Sequence, residues 1–349
     1  MADGEETAST TLPQDRRASE MAAWIAGDSS GRFTLRRLQV FWTVAHFSSL
    51  TKAAKQLGLT QPTLSQQIAS LEEIVGTALF ARLSNRLVLT EAGRHLLRKT
   101  EIVLDGIQSL EDSVVEIGQG LRQTMAIAGL NSVLRVVLPK AMEAMRAAYP
   151  SVDYDIHEST PADVVEMLYG RRISIGLIAT NSIAPASAGF RQVPICTDPY
   201  VLAVPESLHL DGVSDPKRDL PQSAHRLLCR SIQFMFGTQH TQRVQDWYDQ
   251  HIPGNWPFAR VRSFEVALGL VRAGEGVCLA PSMSCVVGGA AIDGVTLYRV
   301  AQPPREIAAL LSNRHATQEP YATLVAALSE AGSGYAPPPM RKTPPFLAE

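Results

Sequence analysis

LTKAAKQLGLTQPTLSQQIASLEEIV, Leu50 to Val75, is the stretch that decides how this chain folds. Leu50, Ala53, Ala54 and Leu57 recur at helical spacing, and Gly58 supplies the stop expected after a helix C-terminus. Two residues on, Thr60 caps another helix. Pro62 is tolerated in its first turn, where a missing N–H breaks no ladder, and Leu64, Ile68 and Leu71 form one apolar face before Gly76 ends the pattern. Working outward, Leu35, Leu38, Phe41, Val44 and Ala45 predict an earlier helix, with order beginning at Phe33 and Thr34 as its cap. On the other side, Leu79-Phe80 and Leu87-Val88-Leu89 read as two short strands around a basic turn between Arg82 and Arg86. The pattern is helix, helix, tight turn, helix and wing.

Beyond the wing, proline is absent from Glu91 to about Gly118. Leu96, Val103, Ile107, Leu110, Val114 and Ile117 fall on a heptad seam there, interrupted by Thr100, along a helix of about 40 Å. A seam that narrow packs against a second copy of itself, which predicts a homodimer; an amphipathic helix lying on its own domain is the alternative. The remaining chain alternates strand and helix signals. Met125–Leu130, Val152–His157 and Ile173–Ala179 read as strands, Val133–Tyr149 and Pro161–Tyr169 as helices. Tyr200–Val204 is a further extended stretch. A second set follows: Leu227–Arg230, a helix near Gln239–His251, Ala259–Val261, a helix Phe264–Ala273, and Val277–Ala280. This alternation predicts parallel sheets covered by helices, in two α/β lobes.

The expected organisation is a disordered extension over 1–32, a winged helix-turn-helix over 33–90, a linker helix over 91–120, a two-lobed domain over 121–331, and a disordered, proline-rich tail over 332–349. With 349 residues, 45% of them apolar, the chain is long enough for several cores. A net charge of −2 excludes a generic polyanion binder, so nucleic-acid affinity has to be local. It is concentrated between Arg36 and Arg86, where Arg36, Arg37, Lys52, Lys55, Arg82 and Arg86 face only Glu72 and Glu73. Four scattered cysteines without metal spacing fit a reducing compartment, and the polar start and lack of a long apolar run point to a cytoplasmic protein with no membrane segment.

Short polar and amide side chains on the third helix, Gln61, Thr63, Gln66 and Gln67, lie off its apolar face and suit base edges in the major groove; a merely solvated face is the bland alternative. The DNA-binding set is Thr51, Lys52, Thr60, Gln61, Pro62, Thr63, Ser65 and Gln66, with Arg82 and Arg86 on phosphate. At the strand ends of the two lobes, Asn131, Ser132, Ser159, Thr160, Ser231 and Ser263 bring hydroxyls or amides to helix N-termini. Such a crevice suits a small anionic effector, while each residue alone is also an ordinary cap.

The run LRRLQVFWTVAHFSSLTKAAKQLGLTQPTLSQQIASLEEIVGTALFAR...LTEAG, Leu35 to Gly93, closely resembles the N-terminal region of LysR-type transcriptional regulators. Ala53-Ala54, Thr60-Gln61-Pro62, Leu64-Ser65, Leu71-Glu72, Leu79-Phe80 and Leu89-Thr90-Glu91-Ala92-Gly93 carry the match. The run Ser263 to Pro281, SFEVALGLVRAGEGVCLAP, is similar to the same family. The resemblance implies a sequence-specific regulator of double-stranded operator DNA, not an enzyme, whose regulatory domain resembles periplasmic binding proteins. Lobe I would comprise about 121–203 and 295–331, lobe II about 204–294, with the effector between them. It also implies a dimer, or dimer of dimers, with RNA polymerase as a further partner, and no cofactor or metal. Two positions depart from the family: Gln66 stands where Arg is common, favouring adenine over guanine, and Ser174 stands where Asp is common.

An enzyme needs a nucleophile and base or a metal constellation, and no GxSxG, HExxH, Walker loop or dinucleotide fingerprint occurs. GEGVC, Gly274 to Cys278, enters a strand instead of leaving one. A thiol redox switch on Cys278 and Cys285 is the competing regulatory reading, opposed by the lack of a basic neighbour to favour thiolate. A solute-binding protein with the same lobes is opposed by the helix-turn-helix and the absent signal sequence.

Overall fold

The computed structural model describes residues 33–47, 49–83, 86–118, 123–182, 190–235 and 237–348. The extension expected over 1–32 and the wing tip at 84–85 lie outside the described residues. The chain divides into two compact units, Met1–Val115 and Glu116–Glu349.

In the first unit, α1 (Leu35–His46) starts at Thr34, whose hydroxyl accepts from Arg37 N. A second helix, α2 (Leu50–Leu57), stops at Gly58 with φ 64°, a left-handed turn that glycine adopts without strain. The third, α3 (Gln61–Val75), is capped by Thr60 and closed by Gly76 at φ 77°. Phe41, Ala53, Leu64, Leu71 and Leu79 fill the core. The hairpin β1 (Phe80–Leu83) and β2 (Arg86–Leu89) leads into α4 (Glu91–Gly118). Glu72 of α3 accepts from Leu79 N at 2.7 Å and Phe80 N at 3.1 Å, tying the wing to that helix. Gly93 lets α4 pass close beneath: a Cβ there meets Leu79 O at 2.2 Å.

The second unit holds both lobes. Lobe I is built from β3 (Gln123–Gly129), α5 (Asn131–Val136), α6 (Leu138–Ala148), β4 (Val152–Glu158), α7 (Pro161–Tyr169), β5 (Ile175–Ala179) and β6 (Phe190–Asp198). Lobe II follows with β7 (Tyr200–Pro205), α8 (Gln222–Leu228), β8 (Arg230–Phe234), α9 (Gly237–His251), β9 (Trp256–Val261), α10 (Phe264–Arg272), β10 (Cys278–Pro281) and β11 (Val295–Arg299). The chain returns to lobe I with β12 (Arg305–Ser312) and α11 (Tyr321–Ser333). The lobe I sheet runs β4-β3-β5-β12-β6; in lobe II, β7 lies between β10 and β11.

Several expectations change. The sheets are mixed: β3 is parallel to β4 and β5, but β12 is antiparallel to both β5 and β6, and β7 is antiparallel to both neighbours. The single helix expected over Val133–Tyr149 breaks at Val137, because Pro139 has no N–H to continue the ladder and starts α6 instead. Leu227 and Leu228 end a helix, and the strand begins only at Arg230. Tyr200–Val204 and Val295–Arg299, assigned to lobe I, pair with each other in lobe II, so the crossings fall at Pro199 and at 300–304.

The tail expected to be disordered from 332 is packed. Arg341 N donates to Leu297 O at 2.8 Å and Arg299 N to Arg341 O at 3.1 Å, so one tail residue pairs with the open edge of β11. Arg341 also pairs with Asp211, and Leu347, 1% exposed, enters the lobe II core. Proline runs make no internal hydrogen bonds and read as coil; here partners come from another strand. Ending the chain after Gly334 removes a buried leucine worth about 2–3 kcal/mol and should lower the melting temperature by roughly 4–12 °C. Calorimetry that finds no change would show that this packing does not stabilise the unit.

Candidate functional site

Two surfaces hold the residues singled out by sequence. On the first unit, burial of Leu64, Ile68 and Leu71 turns the opposite side of α3 outward. Gln61, Pro62, Thr63, Ser65 and Gln66 are all exposed. Thr51, at the start of α2, donates to Gln61 Oε1 at 3.3 Å, joining the two helices at their polar ends. The Thr60 hydroxyl is occupied as a cap, accepting from Thr63 N and lying 2.8 Å from Thr63 Oγ1. Gln67 turns partly inward, its Oε1 buried without a hydrogen-bond partner among the described residues. Arg82 and Arg86 flank the hairpin turn on β1 and β2; the side chains of Lys52, Arg82 and Arg86 lie outside the described residues.

Along α4 the predicted seam divides. Leu96 packs on the core of its own unit, whereas Val103, Leu110 and Val114 are 47%, 63% and 59% exposed. Ile107 is half-buried, and the Ile117 side chain lies outside the described residues. Leu96 is therefore a core residue, and the uncovered apolar stripe begins a turn or two later.

On the second unit, strand C-terminal ends from both lobes meet at a cavity of about 950 Å³. The end of β3 supplies Asn131 and Ser132, that of β4 supplies Ser159 and Thr160, and that of β9 supplies Ser263. Ser231 does not reach it. Because β8 starts at Arg230, Ser231 sits at the wrong end of the strand, fully buried, donating to Trp256 O and accepting from Gln233. The other hydroxyls have internal partners: Thr160 donates to Asp163 Oδ2 at 2.7 Å, Ser263 to Glu265 Oε2 at 2.6 Å and Ser159 to Met167 Sδ, while Ser132 accepts from Arg305.

Sequence reasoning missed much of the wall. Glu158 and Arg262 lie beside named residues and were legible by the same strand-end rule. Phe234 and Phe264, stacked at 4.2 Å, line the cavity. Arg305 comes from the distant start of β12, with no local signal. Its guanidinium binds Asp198 and Ser132, and Asp198 Oδ1 accepts from Ser282 Oγ and Met283 N. Ser284, 2% exposed, also lines the cavity and its Oγ has no hydrogen-bond partner among the described residues.

Burial keeps the two thiols of the redox reading protonated. Cys278 is fully buried and its pKa is pushed up to about 12 by loss of water; burial raises Cys285 as well, helped by Cys278 and Asp198. Among the described residues no group of His, Cys, Asp and Glu has metal-binding geometry, and no helix is long and apolar enough to cross a membrane.

Residues 35–94 match the family model for bacterial regulatory helix-turn-helix proteins of the lysR family, and residues 118–333 match the LysR substrate binding domain. The chain is 34% identical over 169 residues to the HTH-type transcriptional regulator CfxR of Cupriavidus necator, covering 48% of this chain and 52% of that protein. It is 31% identical over 248 residues to CatR of Pseudomonas putida, covering 71% and 82% respectively. Among solved structures, an OxyR C206 mutant from Corynebacterium glutamicum aligns with a TM-score of 0.48 at 22% identity, covering 88% of this chain and 94% of that one. The chain belongs to the LysR family of bacterial helix-turn-helix transcriptional regulators.

Proposed function

We propose that this regulator reads operator DNA with α3, grips phosphate with the wing, pairs with a second copy through α4, and is switched by a small effector held between the lobes. The observation that carries the reading is the polar face Gln61–Gln66, held clear of its core by Leu64, Ile68 and Leu71. Amide side chains on such a face reach base edges, while wing arginines attract phosphate without regard to sequence. The cleft supplies a place where one ligand touches both lobes, and differential affinity for one lobe arrangement is what shifts a regulator between states. We place the protein in the cytoplasm, where its DNA is, and assign it no catalytic step. Assembly into a dimer of dimers and contact with RNA polymerase belong to the same proposal.

Gln66→Ala should alter base preference at one operator position, losing about 1–3 kcal/mol of discrimination. Arg86→Ala should weaken binding to all sequences alike and flatten the salt dependence. Electrophoretic mobility shifts over a salt series check both, and wild-type behaviour in the two variants would remove α3 and the wing from the interface.

The exposed stripe Val103, Leu110 and Val114 leaves apolar surface that a second α4 would cover. Aspartates at Ile107 and Leu110 together should separate the copies and abolish tight operator binding, because two half-sites need two linked readers. Sedimentation of that variant as the wild-type oligomer would refute the α4 interface.

The competing thiol reading requires reactive sulfur. Burial pushes the Cys278 pKa up to about 12, which keeps its thiol protonated at pH 8. Iodoacetamide at pH 8 should leave Cys278 and Cys285 unlabelled in the native protein and label both after denaturation, as read by peptide mass spectrometry. Rapid native labelling would reinstate the redox switch.

A further inference from the structure

Taking the cleft as the effector site, we infer that its ligand carries a protonated amine. Sequence pointed to an anion, since α7 and α10 both aim their N-termini at the cavity. Those positive helix ends are already served from within the protein. Asp163 sits in the first turn of α7 and Glu265 in the first turn of α10, each accepting the proton of the capping hydroxyl. A carboxylate entering there meets two resident carboxylates.

One side of the cavity presents an acceptor that the protein itself does not serve. Asn131 Nδ2 donates to Glu158 Oε2 at 3.0 Å, and because a carboxylate only accepts, this fixes the amide with its nitrogen toward Glu158. Asn131 Oδ1 is then left buried with no hydrogen-bond partner among the described residues. Ser284 Oγ, on a side chain 2% exposed, is likewise without a partner among the described residues and can accept as well as donate. Leaving such groups unpaired is costly, and an N–H-rich cation satisfies both kinds at once.

The charges agree. Arg305 is paired with the fully buried Asp198, and Glu265 lies 3.5 Å from Arg135. Setting those pairs aside, among the described residues the wall retains the carboxylates of Glu158 and Asp163 against the guanidinium of Arg262. The stacked rings of Phe234 and Phe264 offer an apolar seat for the rest of the molecule, and about 950 Å³ admits a medium-sized organic compound. The ammonium is placed against Asn131 Oδ1 and Glu158, and its organic body against the two rings. Arg262 takes the carboxylate if the effector is an amino acid; a simple amine leaves it solvated.

Three probes of one skeleton separate these sources: 2-phenylethylamine, L-phenylalanine and 3-phenylpropionate, titrated calorimetrically into the full-length protein. At least one of the two amines should bind, 3-phenylpropionate should not, and Glu158→Gln should weaken the amine about tenfold or more, the loss expected when a charged hydrogen-bond partner is removed. Binding by L-phenylalanine alone assigns an amino-acid effector, and binding by 2-phenylethylamine a simple amine. A Ser159→Trp/Thr241→Trp variant, which puts an indole into the cleft from each lobe, tests the location independently. If 3-phenylpropionate binds best and the double variant abolishes it, the cleft stands and the amine falls. Amine binding that survives the double variant overturns the cleft reading too. Silence from all three probes, or an amine indifferent to Glu158→Gln, also overturns the proposal.

Discussion

A single buried carboxylate, Asp198, ties together the segments where the chain crosses between the lobes. It lies at the end of β6, immediately before the first crossing, with no exposed surface. One oxygen takes the Arg305 guanidinium from the start of β12, where the second crossing returns. The other takes Ser282 Oγ and Met283 N, from the segment after β10 whose Met283 packs into the lobe I core. Ser282 spends its proton on Asp198, so Tyr335 donates to Ser282 at 2.9 Å and the start of the C-terminal tail joins the same knot. Removing one partner of such a buried pair typically costs about 3–5 kcal/mol, because the other charge is stranded away from water. Arg305 also donates to Ser132 on the cavity wall, so the knot between the lobes and the cleft share a side chain.

The DNA-reading unit uses the same economy with fewer charges. Glu72 looks from sequence like one of two acids diluting a basic surface. In the fold its carboxylate accepts the backbone N–H groups that open β1, and so sets where the wing leaves α3. Thr90 adds a second tie, donating to Ala78 O and accepting from Gly93 N. The LTEAG run is therefore geometry: the threonine caps, and glycine permits backbone contact at a spacing that no Cβ allows.

Capping chemistry also shapes what the cleft presents. Thr160 and Ser263 stand at strand ends facing the cavity, as the crevice rule for α/β sheets requires. Their hydroxyls are spent on Asp163 and Glu265 two or three residues downstream, so the helix ends that draw an anion elsewhere are neutralised here. Among the described residues the wall atoms left without partners are Asn131 Oδ1, an acceptor, and Ser284 Oγ, which can donate or accept, and Ser284 enters the wall from a segment with no motif of its own.

Local patterns were enough for the helix-turn-helix, because each of its signals acts within a few residues: Thr34 and Thr60 as caps, Gly58 and Gly76 as stops, and an apolar period that buries one face. The same held for α4 and for most strands and helices of the lobes. The antiparallel strands β6 and β12, the lobe in which β7 and β11 sit, and the ordered tail were not legible, since each depends on a partner strand distant in sequence. Ser231 was misplaced for a smaller reason, a strand beginning where the pattern appeared to end. Sequence by itself determined which segments become helix or strand and which polar residues cluster at their ends. Only tertiary structure decided which of those groups remain without partners, because hydrogen bonds and ion pairs such as Asp198–Arg305 form between residues that meet only in the fold.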